Sequence, residues 1–372
     1  MKNRYRPAGR VASIQPSVIR SFFDRGAGCI NLGMGEPDFY TPEVIRERAA
    51  QILKSDKIPY TLNQGLPELR EKIASLYAGA TADNVLVTAG SQEGIYAAVH
   101  AFVNPGDKVL LPDPGFVAYP TLVKMVGGMA ETYDMPPPNF RLHARSLEAA
   151  WNGARMAVLN SPSNPTGQVL APDELRQFGD LANNSDCLLV SDEIYREIYF
   201  DARPASLWDV TRDHIVVSGF SKTYSMTGWR LGWVIGPAEA LRRVSLIHAY
   251  TVTCAPTLSQ RAALAAFTPQ GDEQKEDLRC RLQQRRDLMC ALIGRRLRLP
   301  YTNPGGSFYV MLDISRFGKS IDIAEKLLSG GVITVPGSAF GHYSEGYLRL
   351  SFSGSEEDIN SGIELIGRIL GL

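Results

Sequence analysis

Lys222 and Arg230 frame the segment Ser221-Lys222-Thr223-Tyr224-Ser225-Met226-Thr227-Gly228-Trp229-Arg230-Leu231-Gly232. The lysine sits in a Ser/Gly-rich loop, and the arginine follows eight residues later at the start of an apolar run. An amine in such a loop can hold an aldehyde as a Schiff base, and a guanidinium offers a phosphate a forked pair of donors. The two demands together describe a small molecule that carries both an aldehyde and a phosphate. Pyridoxal 5′-phosphate (PLP) is such a molecule.

Other polar groups recur at the ends of apolar runs. Ala89-Gly90-Ser91-Gln92 follows one run and opens a helical pattern. Free N–H groups at a helix start, with a glycine allowing close approach, suit a phosphate, although turns of this kind are common to α/β chains. Pro112 to Tyr119 follows the next run. Its prolines stiffen a loop that holds Phe116 either as a ring to stack on a flat cofactor or as a plug in the core. Asn164, in Asn164-Pro165-Thr166-Gly167, is either a turn former or an amide donor to a phenolic oxygen. Asp192 ends a fourth run. It either pairs with a protonated pyridine nitrogen or, with Ser191, caps a following helix, and Tyr195 on the same turn favours the first role. In Tyr347-Leu348-Arg349-Leu350-Ser351-Phe352, alternation sets Arg349 on the face opposite Leu348, Leu350 and Phe352. That face meets either solvent or a cleft in which the guanidinium would grip a carboxylate.

These residues need a scaffold that gathers strand ends. The runs Asn84–Thr88, Lys108–Leu111, Met156–Asn160, Cys187–Val190, Ile215–Ser218 and Leu231–Ile235 are continuous rather than alternating, as for strands covered on both faces. Helical patterns such as Ser91–Phe102 separate them, which predicts a mostly parallel α/β sheet with its site at the carboxyl ends of the strands. Beyond Pro256 the pattern predicts one long helix over Leu258–Leu297. Short strands follow at Phe308–Asp313, Val332–Val335 and Tyr347–Phe352, forming a smaller α+β unit that the N-terminal segment joins. The expected domains are a large one, 41–257, and a small one built from 1–40 and 258–372.

Composition narrows the function. Across 372 residues, 39 basic and 39 acidic side chains balance, which gives no support to nucleic-acid or anionic-membrane partners. Five cysteines, an odd number without CxxC spacing, argue for a reducing, cytoplasmic setting rather than a disulfide framework or metal site. Gly33-Met34-Gly35 lacks the third glycine of a dinucleotide-binding turn.

Taken together, the motifs resemble the class I/II aminotransferases of PLP fold type I, the aspartate aminotransferase superfamily. The resemblance rests on Gly35-Glu36-Pro37-Asp38-Phe39, Tyr60, Gly65 to Arg70, Gly90-Ser91-Gln92, Pro112 to Tyr119 and Asn164 to Gly167. It continues through Asp192 to Tyr195, Lys222 to Gly232, and Tyr347 to Ser351. It implies an α/β fold with a mostly parallel seven-stranded sheet, PLP as cofactor, and amino-acid and 2-oxo-acid substrates. Lys222 would form the Schiff base, Asp192 would meet the pyridine nitrogen, Asn164 and Tyr195 the phenolic oxygen, and Phe116 the ring. Gly90, Ser91, Gln92, Ser221 and Arg230 would hold the phosphate, with Tyr60 reaching in from the second subunit of a homodimer. Arg349, Asn164 and the Gly35 backbone would hold the substrate carboxylate. Many members carry a serine three residues before the lysine, where this chain has Gly219, so Ser218 and Ser221 are alternatives for the serine that binds the phosphate. Dicarboxylate-specific members use an arginine near His248–Thr251, and this chain has none there. Tyr5, Ile14, Gln15 and Tyr250 are the candidates for the side-chain pocket. The same residues would also serve a PLP-dependent lyase or cyclase, the alternative to amino transfer. A non-catalytic PLP-binding protein is the third reading.

Overall fold

A computed structural model describes residues 4–12, 14–142 and 144–372. The strands in chain order are β1 (Ile30–Asn31), β2 (Val85–Thr88), β3 (Lys108–Asp113), β4 (Met129–Asp134), β5 (Ala154–Asn160), β6 (Leu188–Asp192), β7 (Ile215–Gly219) and β8 (Gly232–Ile235). The series ends with β9 (Tyr309–Asp313), β10 (Val332–Ile333), β11 (Val335–Pro336) and β12 (Tyr347–Ser351).

Seven of these strands form the central sheet in the order β2-β8-β7-β6-β5-β3-β4. β8 runs antiparallel to both its neighbours, and the remaining pairs are parallel. The apolar runs supply two cores at once, because successive side chains on a strand point to opposite faces. Val87, Leu110, Ala157, Leu159, Leu189, Val216 and Ile235 share one buried cluster. Their alternates Leu86, Val109, Leu111, Met156, Val158, Val190, Val217 and Val234 fill the other.

β4 is absent from the apolar runs of the sequence, and its position explains why. It pairs with β3 alone at the sheet edge, and the first four residues of Met129-Ala-Glu-Thr are exposed. An edge strand half in water needs no continuous apolar run.

Two further expectations are corrected. The long helix over Leu258–Leu297 is broken into Thr257–Ala263, a 3₁₀ turn at Leu264–Phe267, and Pro269–Leu292. Pro269 lacks the N–H that a continuing helix requires, and Thr268 caps the new start by accepting the Gly271 N–H at 3.1 Å. The run Val332–Val335 splits between two sheets: β10 pairs parallel with β1, whereas β11 pairs antiparallel with β12, which in turn pairs with β9.

A further core gathers β9, β12 and helix Glu356–Leu370, whose Ile359, Ile363, Ile366 and Leu370 lie on one helical stripe. Helix Val18–Arg25 drives Phe22 into this core, and Ile194, Tyr195 and Ile198, just past β6, join it. The same cluster therefore touches the strand end that carries Asp192. No described helix is long and apolar enough to cross a membrane.

Candidate active site

A cavity of about 300 Å³ opens at the carboxyl ends of β5, β6 and β7, and Lys222, Asp192, Tyr195, Asn164, Arg349, Phe116, Gly35, Ser91, Gln92, Ser221 and Arg230 all line it. Lys222 lies on the single helical turn Phe220–Thr223 directly after β7. Its Nζ donates to the Gly35 carbonyl at 2.7 Å. Burial lowers its pKa to about 8; nearby Glu36 opposes that shift, while Arg230 and Arg349 add to it.

Asp192 forms the floor. It is 4% exposed, accepts the Tyr119 hydroxyl at 2.7 Å on Oδ2, and accepts the Ile194 N–H at 3.2 Å on Oδ1. Burial raises its pKa to about 6, against the pull of the Tyr119 hydrogen bond. No helix begins at this point, so the capping role has no object: Asp192 instead closes a tight turn toward Ile194. Ser191 turns away and donates to Glu193 Oε1 at 3.0 Å. A buried carboxylate held partly against ionisation is well placed to accept a cationic ring N–H.

Gly90 (φ +91°) precedes helix Ser91–Phe102, whose first residues, Ser91 and Gln92, line the cavity. Arg230 adopts a left-handed backbone (φ 53°), donates from Nη1 to the Thr227 carbonyl at 2.8 Å, and lies so close to Gly90 that a Cβ there would sit 2.3 Å from Nη2. A Cβ on Gly232 would stand 2.6 Å from the Ser91 nitrogen. Two side-chain-free positions thus let a guanidinium and a helix start converge, as a phosphate requires. Ser221 lines the cavity, whereas Ser218 donates to the Glu193 carbonyl at 3.1 Å and does not line it.

The third corner belongs to Arg349. It is only 3% exposed and turned inward, not to solvent: Nη1 donates to Asn164 Oδ1 at 2.8 Å and Nη2 to the Gly33 carbonyl at 2.6 Å, while Nε has no partner. Its guanidinium lies 4.3 Å from the Tyr309 ring centre and 4.9 Å from that of Phe340. With Oδ1 of Asn164 engaged, the amide nitrogen is the group left to serve the cavity. Tyr195 Oη lies 3.0 Å from Tyr309 Oη, and Phe116 both lines the cavity and packs its edge against Tyr119.

Tyr60 is 82% exposed and lies outside this chain's own cavity, where a residue expected to serve a second subunit's site would stand. The side-chain pocket is lined differently from what the sequence suggests. Tyr5 and Tyr250, at 92% and 93% exposed, do not line it, nor does Ile14; Gln15 lines only an adjoining groove. In their place stand Ile19 and Phe23. Tyr119, Tyr309 and Asn160 also belong to the site, without a signal of their own in the sequence. Asn160 donates to the Asp192 carbonyl at 3.0 Å and accepts the Asn164 N–H at 2.7 Å. Tyr119 stood within a quoted motif, three residues past Phe116; nothing in the apolar run that holds Tyr309 marks it.

Residues 27–366 match the family model described as aminotransferase class I and II. The chain belongs to this family. A probable aspartate aminotransferase of Methanocaldococcus jannaschii is 35% identical, over 97% of this chain and 99% of that protein. The aspartate aminotransferase of Pyrococcus horikoshii is 34% identical, over 99% of this chain and 97% of that protein. The solved structure of Thermus thermophilus aspartate aminotransferase with maleate superimposes with a TM-score of 0.94 at 32% identity, covering 98% of this chain and 99% of that one. The protein is a PLP-dependent aminotransferase of fold type I, which moves an amino group from an amino acid to a 2-oxo acid. The residues present fit the cofactor: a buried anion for the ring nitrogen, a cradle that a Cβ would fill, and an amine with a lowered pKa.

Proposed function

We propose that Lys222 is the covalent anchor and proton carrier of this aminotransferase, that Asp192 sets the charge of the cofactor ring, and that Arg349 holds the substrate carboxylate. The observation that carries this reading is that one cavity is lined by an amine, a buried carboxylate, and a guanidinium with an unpaired N–H. Bound there, PLP supplies an aldehyde carbon that bonds amines and a protonated ring that withdraws electrons from the substrate Cα.

The chain's own residues do the rest. Asp192 accepts the ring N–H and keeps that nitrogen protonated. Asn164 Nδ2 and Tyr195 Oη donate to the phenolic oxygen, while Phe116 stacks on the ring. Gly90, Ser91, Gln92, Ser221 and Arg230 bind the phosphate. Arg349 orients the substrate through its carboxylate, assisted by Asn164 and the Gly35 backbone. Lys222 then moves the proton between the substrate Cα and the cofactor's aldehyde carbon, which requires a neutral amine. Lowering its pKa from 10.5 to about 8 raises the neutral fraction at pH 7 by about 300-fold.

Tyr60 completes the reading through a second copy of the chain. The loop that carries it is tied to the 253–260 region by Thr257 donating to the Pro59 carbonyl at 2.7 Å and Gln260 donating to Thr61 at 3.0 Å. Tyr60 and Leu62 on this loop, and Leu246 and Tyr250 on helix Ala238–Val252, are all exposed, apolar surface suited to a homodimer that brings Tyr60 to the partner's phosphate. The cleft would lie between a large domain, 41–257, and a small one of 1–40 and 258–372, in a protein whose five free cysteines suit the cytoplasm.

Mixing the PLP-loaded protein with single amino acids tests the assignment. Conversion to pyridoxamine phosphate with release of the matching 2-oxo acid is expected, and its loss in Lys222→Ala. A Lys222→Ala variant that still converts the cofactor at the wild-type rate would refute the role of the lysine.

A further inference from the structure

We propose that this aminotransferase takes amino acids with neutral, apolar side chains, and that Ile19 and Phe23 form the wall that selects them. The inference rests on the reading above, in which Lys222, Arg230 and Arg349 serve the aldehyde, the phosphate and the α-carboxylate. Those three are the only cationic side chains lining the cavity among the described residues. Within this chain an acidic side chain would therefore meet no further counter-charge, and a carboxylate taken from water without a partner is strongly disfavoured. Glu36 makes this worse: it lies close enough to Lys222 to raise the amine's pKa, and it accepts a hydrogen bond from the Thr227 hydroxyl on the cavity wall.

Helix Val18–Arg25 offers the cavity what an apolar side chain needs. Ile19 and Phe23 are four residues apart, so they share one helical face, and both line the cavity. Phe22, 1% exposed, fixes the helix in the neighbouring core, and Ser17 caps its start by accepting the Arg20 N–H at 3.4 Å. The two cations of the helix are spent elsewhere: Arg20 pairs with Asp24 at 3.2 Å and Arg25 with Glu325 at 2.7 Å. A groove adjoins the site and shares Ile19 and Gln92 with it; Pro16, Val18, Leu122 and Met125 extend it. A bulky or elongated apolar side chain has room to continue along that path.

Titrating the PLP-loaded enzyme with unreactive carboxylates, followed by the cofactor spectrum and by calorimetry, reads affinity without turnover. The probes are 3-phenylpropionate and 4-methylpentanoate as apolar monocarboxylates, and maleate as a dicarboxylate. The monocarboxylates are expected to bind at least about tenfold more tightly than maleate. Ile19→Lys should reverse the order, weakening 3-phenylpropionate and strengthening maleate by about tenfold each, with PLP content measured alongside to establish that the site is loaded. Maleate binding as tightly as the monocarboxylates to the unaltered enzyme would overturn the proposal, because a cation from outside this wall, such as one from a second subunit, would then govern selection. Selectivity that Ile19→Lys leaves unchanged would overturn the role of the helix. Failure of every carboxylate to bind would instead sink the Arg349 assignment, and this inference with it.

Discussion

Replacing Tyr119 by phenylalanine isolates the group that steadies Asp192. In the cofactor-free protein the Asp192 carboxyl has its pKa raised from 3.8 to about 6 by burial, so its contribution to stability is full below the unfolded value and is lost as pH rises through 6. The ionised form therefore costs the fold about 3 kcal/mol. The Tyr119 hydroxyl, 2.7 Å from Oδ2, offsets part of that cost. A buried hydrogen bond to an ionised group stabilises by about 1.5–3 kcal/mol, and one between neutral groups by about 0.5–1.5. Tyr119→Phe should therefore lose about 2 kcal/mol at pH 8, where Asp192 is charged, and about 1 kcal/mol at pH 5, where it is protonated. Urea unfolding of the cofactor-free variant and parent at the two pH values measures the difference. The variant should also raise the Asp192 pKa further and weaken PLP binding. Equal losses at both pH values, or a larger loss at pH 5, would refute the claim that Tyr119 supports the charged carboxylate.

Three further outcomes follow from the site. Capture of PLP by the cofactor-free protein should accelerate as pH rises through about 8, because only the neutral Lys222 amine attacks; a midpoint near that of free lysine would show that burial does not tune it. Gly232→Ala should weaken PLP binding at least tenfold, since its Cβ would press on the Ser91 nitrogen at 2.6 Å, whereas Gly228→Ala, with nothing within 4 Å, should leave a dialysis titration unchanged. Arg349→Lys should raise KM for amino acids sharply while PLP stays bound, because lysine cannot reproduce the forked contact or the stacking on Tyr309; loss of PLP from the variant would place the arginine elsewhere.

The parts of the molecule with a one-dimensional signal could be read from the sequence. Continuous apolar runs located six strands of the central sheet, since burial on both faces leaves no polar alternation to hide them. β4 lacked that signal because water covers its outer residues. The helix expected across Pro269 failed for a local reason that the proline itself announced: a missing N–H, with Thr268 positioned to restart the helix. In the site, Lys222, Asp192, Asn164 and Arg349 stood out because each is a polar group at the end or on the face of an apolar run. Tyr309 and Tyr119 did not, since aromatic residues at buried strand and helix starts are ordinary core members. Only the fold reveals that their hydroxyls meet Tyr195 and Asp192. The side-chain pocket was the least accessible part. Ile19 and Phe23 come from a helix about 200 residues before Lys222, and chain pairing between β1 and β10 helps carry that segment to the cleft.

The whole chemistry of the site turns on the covalent role of Lys222, which borohydride reduction of the PLP-loaded protein followed by peptide mass spectrometry reads at the atom concerned. One pyridoxyl phosphate group per chain is expected, on the peptide that contains Lys222, with none on the Lys222→Ala variant. A label on any other lysine, or a PLP-loaded protein that takes up no label, would contradict it.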